Sequence, residues 1–331
     1  MKKFLIIVLM LCSLIMINCK NKETEKEFME VITESKSYSL EGVMETYFMD
    51  STKQSTFKAC YKSPDLIKIT LTKVNTDDSQ VIIKNKDGVF VLVPSINKNF
   101  KIKSDWPNNG SYPYLLTSLA KDISNTENPI ITEDEETKTI ETKTSLYKDA
   151  TVTKQKIVFN KETALPKEVI VYNNQGEMHI KVVFTKIELD TEIDDKEFVV
   201  NDSMETMRAV ISDYTYEDRQ IKYPKYVPDG FKLENEHTES NLEGSEVSSI
   251  MTYTGDSGFT IVQEYINDKE TISFAQESGY LIHVMGIPTI LKENGVQAFY
   301  EGVEYTIASS ELSYDEMVKV LASYMIETEE K

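Results

Sequence analysis

Arginine is almost missing from this 331-residue chain: it occurs only at Arg208 and Arg219. Bidentate guanidinium grips on phosphate are therefore scarce. The remaining basic residues are Lys, and 36 Lys and Arg face 55 Asp and Glu, for a net charge of −19. That balance excludes nucleic acid as a partner, because phosphate binding needs clustered cations. Histidine is equally rare, at His179, His237 and His283 only. No HExxH and no paired His/Cys spacing occurs, so no metal is expected. There is no GxSxG elbow, no GxGxxG and no P-loop, so neither an enzyme activity nor a cofactor is expected. The acidic run Glu133, Asp134, Glu135, Glu136 lacks the Gly-centred spacing of a calcium loop and reads as a solvated turn. No stretch of ~20 apolar residues occurs, which excludes a spanning helix. Two units of ~150 residues fit this length.

What the chain does have begins at its N-terminus. Lys2 and Lys3 precede an apolar run over residues 4–17. As a helix that run would reach roughly 21 Å, short of a ~30 Å hydrocarbon core. A basic start with a short apolar run has the shape of a secretory signal. The run ends at Cys19 and resembles a bacterial lipoprotein signal, although Asn18 stands where a small residue is usual. The resemblance implies removal of residues 1–18 and acylation, such as palmitate, on Cys19. Residues 19–27 would then be a charged tether holding the body at the extracytoplasmic face of the cell membrane. Cys12 leaves with the signal, so Cys60 has no partner for an internal disulfide.

Strand signals run from about residue 38 to 189, punctuated by turn residues. A helix is expected at 112–123, with Leu115, Leu116, Leu119 and Ile123 on one side. Residues 28–200 thus read as an antiparallel meander with a helical insertion. Residues 201–213 read as a linker. Residues 214–331 read as a small α+β domain closed by a helix at 313–325, with Ser313 and Glu316 forming its capping box.

Residues 87–100 and the segment Ser104-Asp105-Trp106-Pro107-Asn108-Asn109 resemble a family of lipoproteins of spore-forming bacteria, related to LolA, LolB and RseB. The resemblance implies an α+β fold: an N-terminal curved antiparallel sheet, a LolA-like half-barrel, whose concave face is lined or plugged by helices. The second unit is similar to a domain of unassigned chemistry found in sporulation proteins. The resemblance further implies a non-enzymatic role in sporulation or germination, through an envelope partner such as a cell-wall amidase. Relatives also carry lipids, so a lipid or acyl ligand on the concave face is a second expectation. Trp106, Pro107, Tyr112 and Leu116 are the candidate cleft or lid for such a ligand. Ordinary aromatic packing is the other reading of the same residues.

Overall fold

The computed structural model describes residues 24–326, except 77, 109, 148–149, 151–152, 211–219, 241–245, 256 and 267–272. Cys19 and the signal segment lie outside the described residues. The last residues of the expected tether are helical instead: α1 spans Thr24–Glu34. Phe28 and Ile32 bury one side of this helix, and Glu25 pairs with Lys138.

Six strands follow: β1 (Ser37–Phe48), β2 (Ser51–Lys62), β3 (Leu66–Lys73), β4 (Ser79–Asn85), β5 (Gly88–Val93) and β6 (Lys98–Lys103). Helix α2 (Leu116–Asn125) interrupts them. Then come β7 (Ile130–Glu133), β8 (Thr137–Thr144), β9 (Thr153–Asn160), β10 (Pro166–Tyr172) and β11 (Met178–Leu189). These eleven form one curved antiparallel sheet in which β1 pairs with both β2 and β11. Period-2 alternation sends Tyr38, Leu40, Met44, Phe57, Ile69 and Val171 to its inner face. Helices α1 and α2 cover that face. Phe28, Leu116 and Leu119 are fully buried there and contribute roughly 1.5–3 kcal/mol apiece.

Helix α2 starts later than its apolar spacing suggested. Residues 112–115 form a turn instead, closed by the Leu115 N–H on the Tyr112 carbonyl at 2.9 Å, and Ser118 Oγ takes the Tyr112 N–H at 2.7 Å. Asp122 then ties the helix down, accepting from Ser111, Thr144 and Gln155. Burial raises its carboxyl pKa, against the pull of those three bonds.

The expected linker is also structured through residue 210. Helix α3 (Val200–Val210) follows a short 3-10 turn at Asp195–Phe198. Strands β4 and β5 are apolar on both faces, and such strands need cover on both sides. Phe198 and Met204 supply it, packing on Val81, Ile83, Phe90 and Leu92 of the outer face.

The second unit contains β12 (Lys232–Ser240), β13 (Glu246–Thr254), β14 (Gly258–Tyr265), β15 (Ser273–Ser278), β16 (Tyr280–Val284), β17 (Ile287–Lys292), β18 (Gly295–Tyr300), β19 (Val303–Ala308) and helix α4 (Tyr314–Ala322). All but β15 build a separate seven-stranded sheet, in the order β12-β13-β14-β19-β18-β17-β16. Met317, Val320 and Leu321 of α4 bury against it. Ser313 caps α4 by accepting from the Glu316 N–H at 3.2 Å. The Glu316 carboxylate does not close the box in return; it accepts from Tyr226 and Lys319. Strand β15 leaves its own unit and pairs in parallel with β6, completing a twelve-stranded sheet.

Candidate functional site

Three of the four candidate residues, Trp106, Tyr112 and Leu116, lie together on the inner face. Trp106, Tyr112 and Leu116 are buried, while Pro107 sits half-exposed at the rim. The Trp106 and Tyr112 rings meet edge-on with centroids 5.7 Å apart. Tyr114 continues the cluster toward Phe57 at 5.8 Å. These side chains fill the concavity; they are part of one continuous core.

The second unit completes that core. Leu281, Ile290 and Phe299 belong to the same buried cluster. Phe299 stacks on Phe100 at 4.5 Å. Tyr112 Oη donates to the Leu281 carbonyl at 2.6 Å, and Gln80 Nε2 donates to the Phe299 carbonyl at 2.8 Å. Tyr114 Oη lies 3.1 Å from Nε2 of His283 and 3.2 Å from its Nδ1. Burial among these rings pushes the His283 imidazole down to about 3, so it is neutral at physiological pH. The sequence placed His283 among Leu281, Ile282 and Val284, but nothing local linked it to Tyr114.

Charge reinforces the seam at its edge. Glu301 accepts from Lys73 of the first unit and Lys222 of the second, each at 3.1 Å. Burial pushes its carboxyl up, but Lys222, a Tyr300 hydrogen bond and Lys73 outweigh that and hold it at about 2. Lys98 pairs with Glu304 across the same boundary at 3.4 Å.

Clefts open at the rim of the seam. One of about 640 Å³ lies between Lys103, Asp105, Tyr280, Lys292 and Tyr314. Another of about 570 Å³ shares Asp105 and Tyr280 and runs to Asn108, Lys121 and Tyr147. Charged and polar residues make up most of the lining of both, with apolar surface from Leu291, Tyr280, Tyr314 and Tyr147 between them.

Of the remaining reactive groups, His237 is exposed, 3.8 Å from Glu239, while His179 and Cys60 are engaged in packing. Burial lowers the His179 pKa, and its ring meets the Tyr47 carbonyl at 3.2 Å. Burial raises the Cys60 thiol to about 11, despite nearby Lys68, far from the range of reactive thiolates. Among the described residues no group of three or more His, Cys, Asp or Glu is placed to hold a metal.

A family model described as sporulation protein YdcC-like matches residues 1–198. Sporulation protein YdcC of Bacillus subtilis (strain 168) is 30% identical over 328 residues, covering 97% of this chain and 96% of that protein. The chain belongs to the YdcC-like family of sporulation proteins.

Residues 221–323 match a second model, a domain of unknown function (DUF4367). The YdcC-like chain is also similar to a chain of the Pseudomonas aeruginosa MucA/MucB complex, at 12% identity and a TM-score of 0.33. That match covers 90% of this chain and 97% of that one. The LolA superfamily protein NE2245 from Nitrosomonas europaea matches 54% of this chain with 97% of its own, at 11% identity and a TM-score of 0.32. Among the described residues, no helix is long and apolar enough to cross a membrane.

Proposed function

We propose that this YdcC-like protein is a lipoprotein anchored through Cys19 at the extracytoplasmic face of the cell or forespore membrane. It acts there as a non-enzymatic binding scaffold in sporulation or germination, through an envelope protein such as a peptidoglycan-modifying amidase. The observation that carries this reading is the closed inner face. Trp106, Tyr112, Tyr114 and Leu116, sealed by Leu281 and Phe299, occupy the concavity where a carrier would keep cargo. That leaves the outer surface and the sheet edges for contact. Membership of a sporulation family supports the process. The packed states of His283, His179 and Cys60 support a role without catalysis.

The test is affinity capture of the full chain from detergent-solubilised membranes of sporulating cells, with Cys19→Ala as the unanchored control. Recovery of one envelope protein with the anchored form supports the reading. Recovery of none above background counts against it. The rival reading, an acyl or lipid acceptor, requires the core residues to part. Native mass spectrometry of the detergent-exchanged full chain should find no co-purifying lipid. Stoichiometric lipid would favour the rival.

A further inference from the structure

The two ends of the twelve-stranded sheet are treated differently. At one end β15 reaches over from the second unit and pairs with β6 along its length. At the other end, among the described residues, β7 pairs with β8 alone and terminates the sheet. We infer that β7 is a docking edge that takes up an extended, basic segment of a protein partner as an added strand. This rests on the scaffold reading and names the surface that reading uses.

Three observations carry it. The first is apolar exposure. Ile130 is 63% exposed and Ile131 43% exposed, although successive strand residues point to opposite faces. Ile131 stands opposite Ile140, which is fully buried, so it continues the inner apolar surface past its last cover. Natural edges are blunted by shortness, charge, Pro or a bulge. β7 is short, follows Pro129 and ends in Glu133, but no Pro or bulge lies within it and its register with β8 is unbroken, so its backbone can still take an added strand.

The second observation is hydrogen-bonding capacity. Asp134 N–H donates to the Thr137 carbonyl at 3.0 Å, which closes the hairpin. Alternation along an antiparallel ladder then turns the N–H and C=O groups of Ile131 and Glu133 toward the open side. Those are the groups an added strand engages.

The third is charge, which selects the occupant. Glu127, Glu133, Asp134, Glu135 and Glu136 are all exposed around this edge. Lys161 is the cation paired here, 3.6 Å from Glu133. Two copies joined through β7 would set these acidic groups against each other, and like charges across a pairing are destabilising. A strand alternating Lys with apolar residues instead offers the outward amides a partner, sets its apolar side chains beside Ile131 and brings cations to the acidic edge.

The experiment uses the full chain in detergent and fluorescein-labelled heptapeptides, read by anisotropy. One probe alternates Lys and Val, a second alternates Glu and Val, and a third is the Lys-Val peptide N-methylated at alternate amides. The Lys-Val peptide is expected to bind and to slow amide exchange at Ile131 and Glu133. The other two should bind about tenfold more weakly or worse, a difference of about 1.4 kcal/mol. Ile131→Pro removes an outward-facing N–H and should weaken binding about tenfold. The combined change Glu127→Lys, Glu135→Lys and Glu136→Lys touches no buried group and should pass the preference to the Glu-Val peptide. The inference is overturned if N-methylation costs nothing or if charge reversal leaves the preference unchanged. It is also overturned if the protein self-associates through β7, which would make a second copy the occupant. A captured envelope partner that cross-links away from β7 would defeat this assignment while leaving the scaffold reading intact.

Discussion

The Tyr112 hydroxyl donates to the carbonyl oxygen of Leu281 across 2.6 Å, joining the loop before α2 to strand β16 of the second unit. Both residues are buried, so water cannot replace the bond. The inner face of the first unit is therefore closed by the second, and the two share a core.

Replacing that hydroxyl tests the tie. Tyr112→Phe keeps the ring and deprives the Leu281 carbonyl of its donor. The expected loss is about 1–3 kcal/mol of stability, read as a lower denaturant midpoint. A midpoint equal to that of the wild type would mean that the bond contributes nothing to holding the units together.

His283 makes the same seam sensitive to acid. Its folded pKa, about 3, lies below the ordinary histidine value of 6.5. Between those values the unfolded chain binds the extra proton, so stability rises with pH across the window. It is fully present above about pH 6.5 and declines as the pH falls toward 3, by up to about 1.4 kcal/mol per pH unit. Urea melts at several pH values should show this slope, and His283→Phe should flatten it. An unaltered slope in the variant would assign the effect to carboxylates instead.

Gly42 sits opposite a bulge in β11, where Thr185 is the extra residue. A Cβ there would lie 2.4 Å from the Val183 carbonyl oxygen and 2.5 Å from the Phe57 ring. Gly42→Ala is expected to cost about 1–3 kcal/mol through overpacking. Thermal unfolding measures this, and a neutral result would mean that the Val183 carbonyl and the Phe57 ring both yield freely.

Anchoring through Cys19 predicts how the protein leaves a membrane. Without Lys2 and Lys3 of the signal, the −19 of the full chain becomes −21; such a body gains nothing from anionic lipid surfaces, and their mutual field decays within ~8 Å at physiological salt. High salt should therefore leave the protein in the membrane fraction, and detergent should release it. Cys19→Ala should abolish the lipid-dependent retention. Release of the wild type by salt alone would refute the lipid anchor.

Much of the first unit was legible because period-2 alternation is a local property. Tyr38, Leu40 and Met44 announce the buried side of β1, and Ile67, Ile69 and Leu71 that of β3. Helix α3 escaped because its signal lay elsewhere, in the doubly apolar β4 and β5 that it covers. Strand β15 escaped because Ser273–Ser278 pairs in parallel with β6, a partner far away in the chain. Trp106, Tyr112 and Leu116 were recognisable as a group facing the concavity. Whether that concavity stood open depended on Leu281, Ile290 and Phe299.

By itself the sequence determined the antiparallel meander with its helical insertion, the Ser313 cap, and the lack of nucleotide and zinc motifs, since each follows from residues near one another in the chain. Only the tertiary structure decided that the inner face is filled and that β7 is the uncovered end of the sheet. Those outcomes depend on pairs such as Tyr112 with Leu281 and Ser273 with Lys98. Contacts of that kind form when the second unit closes over the first, and no local periodicity encodes them.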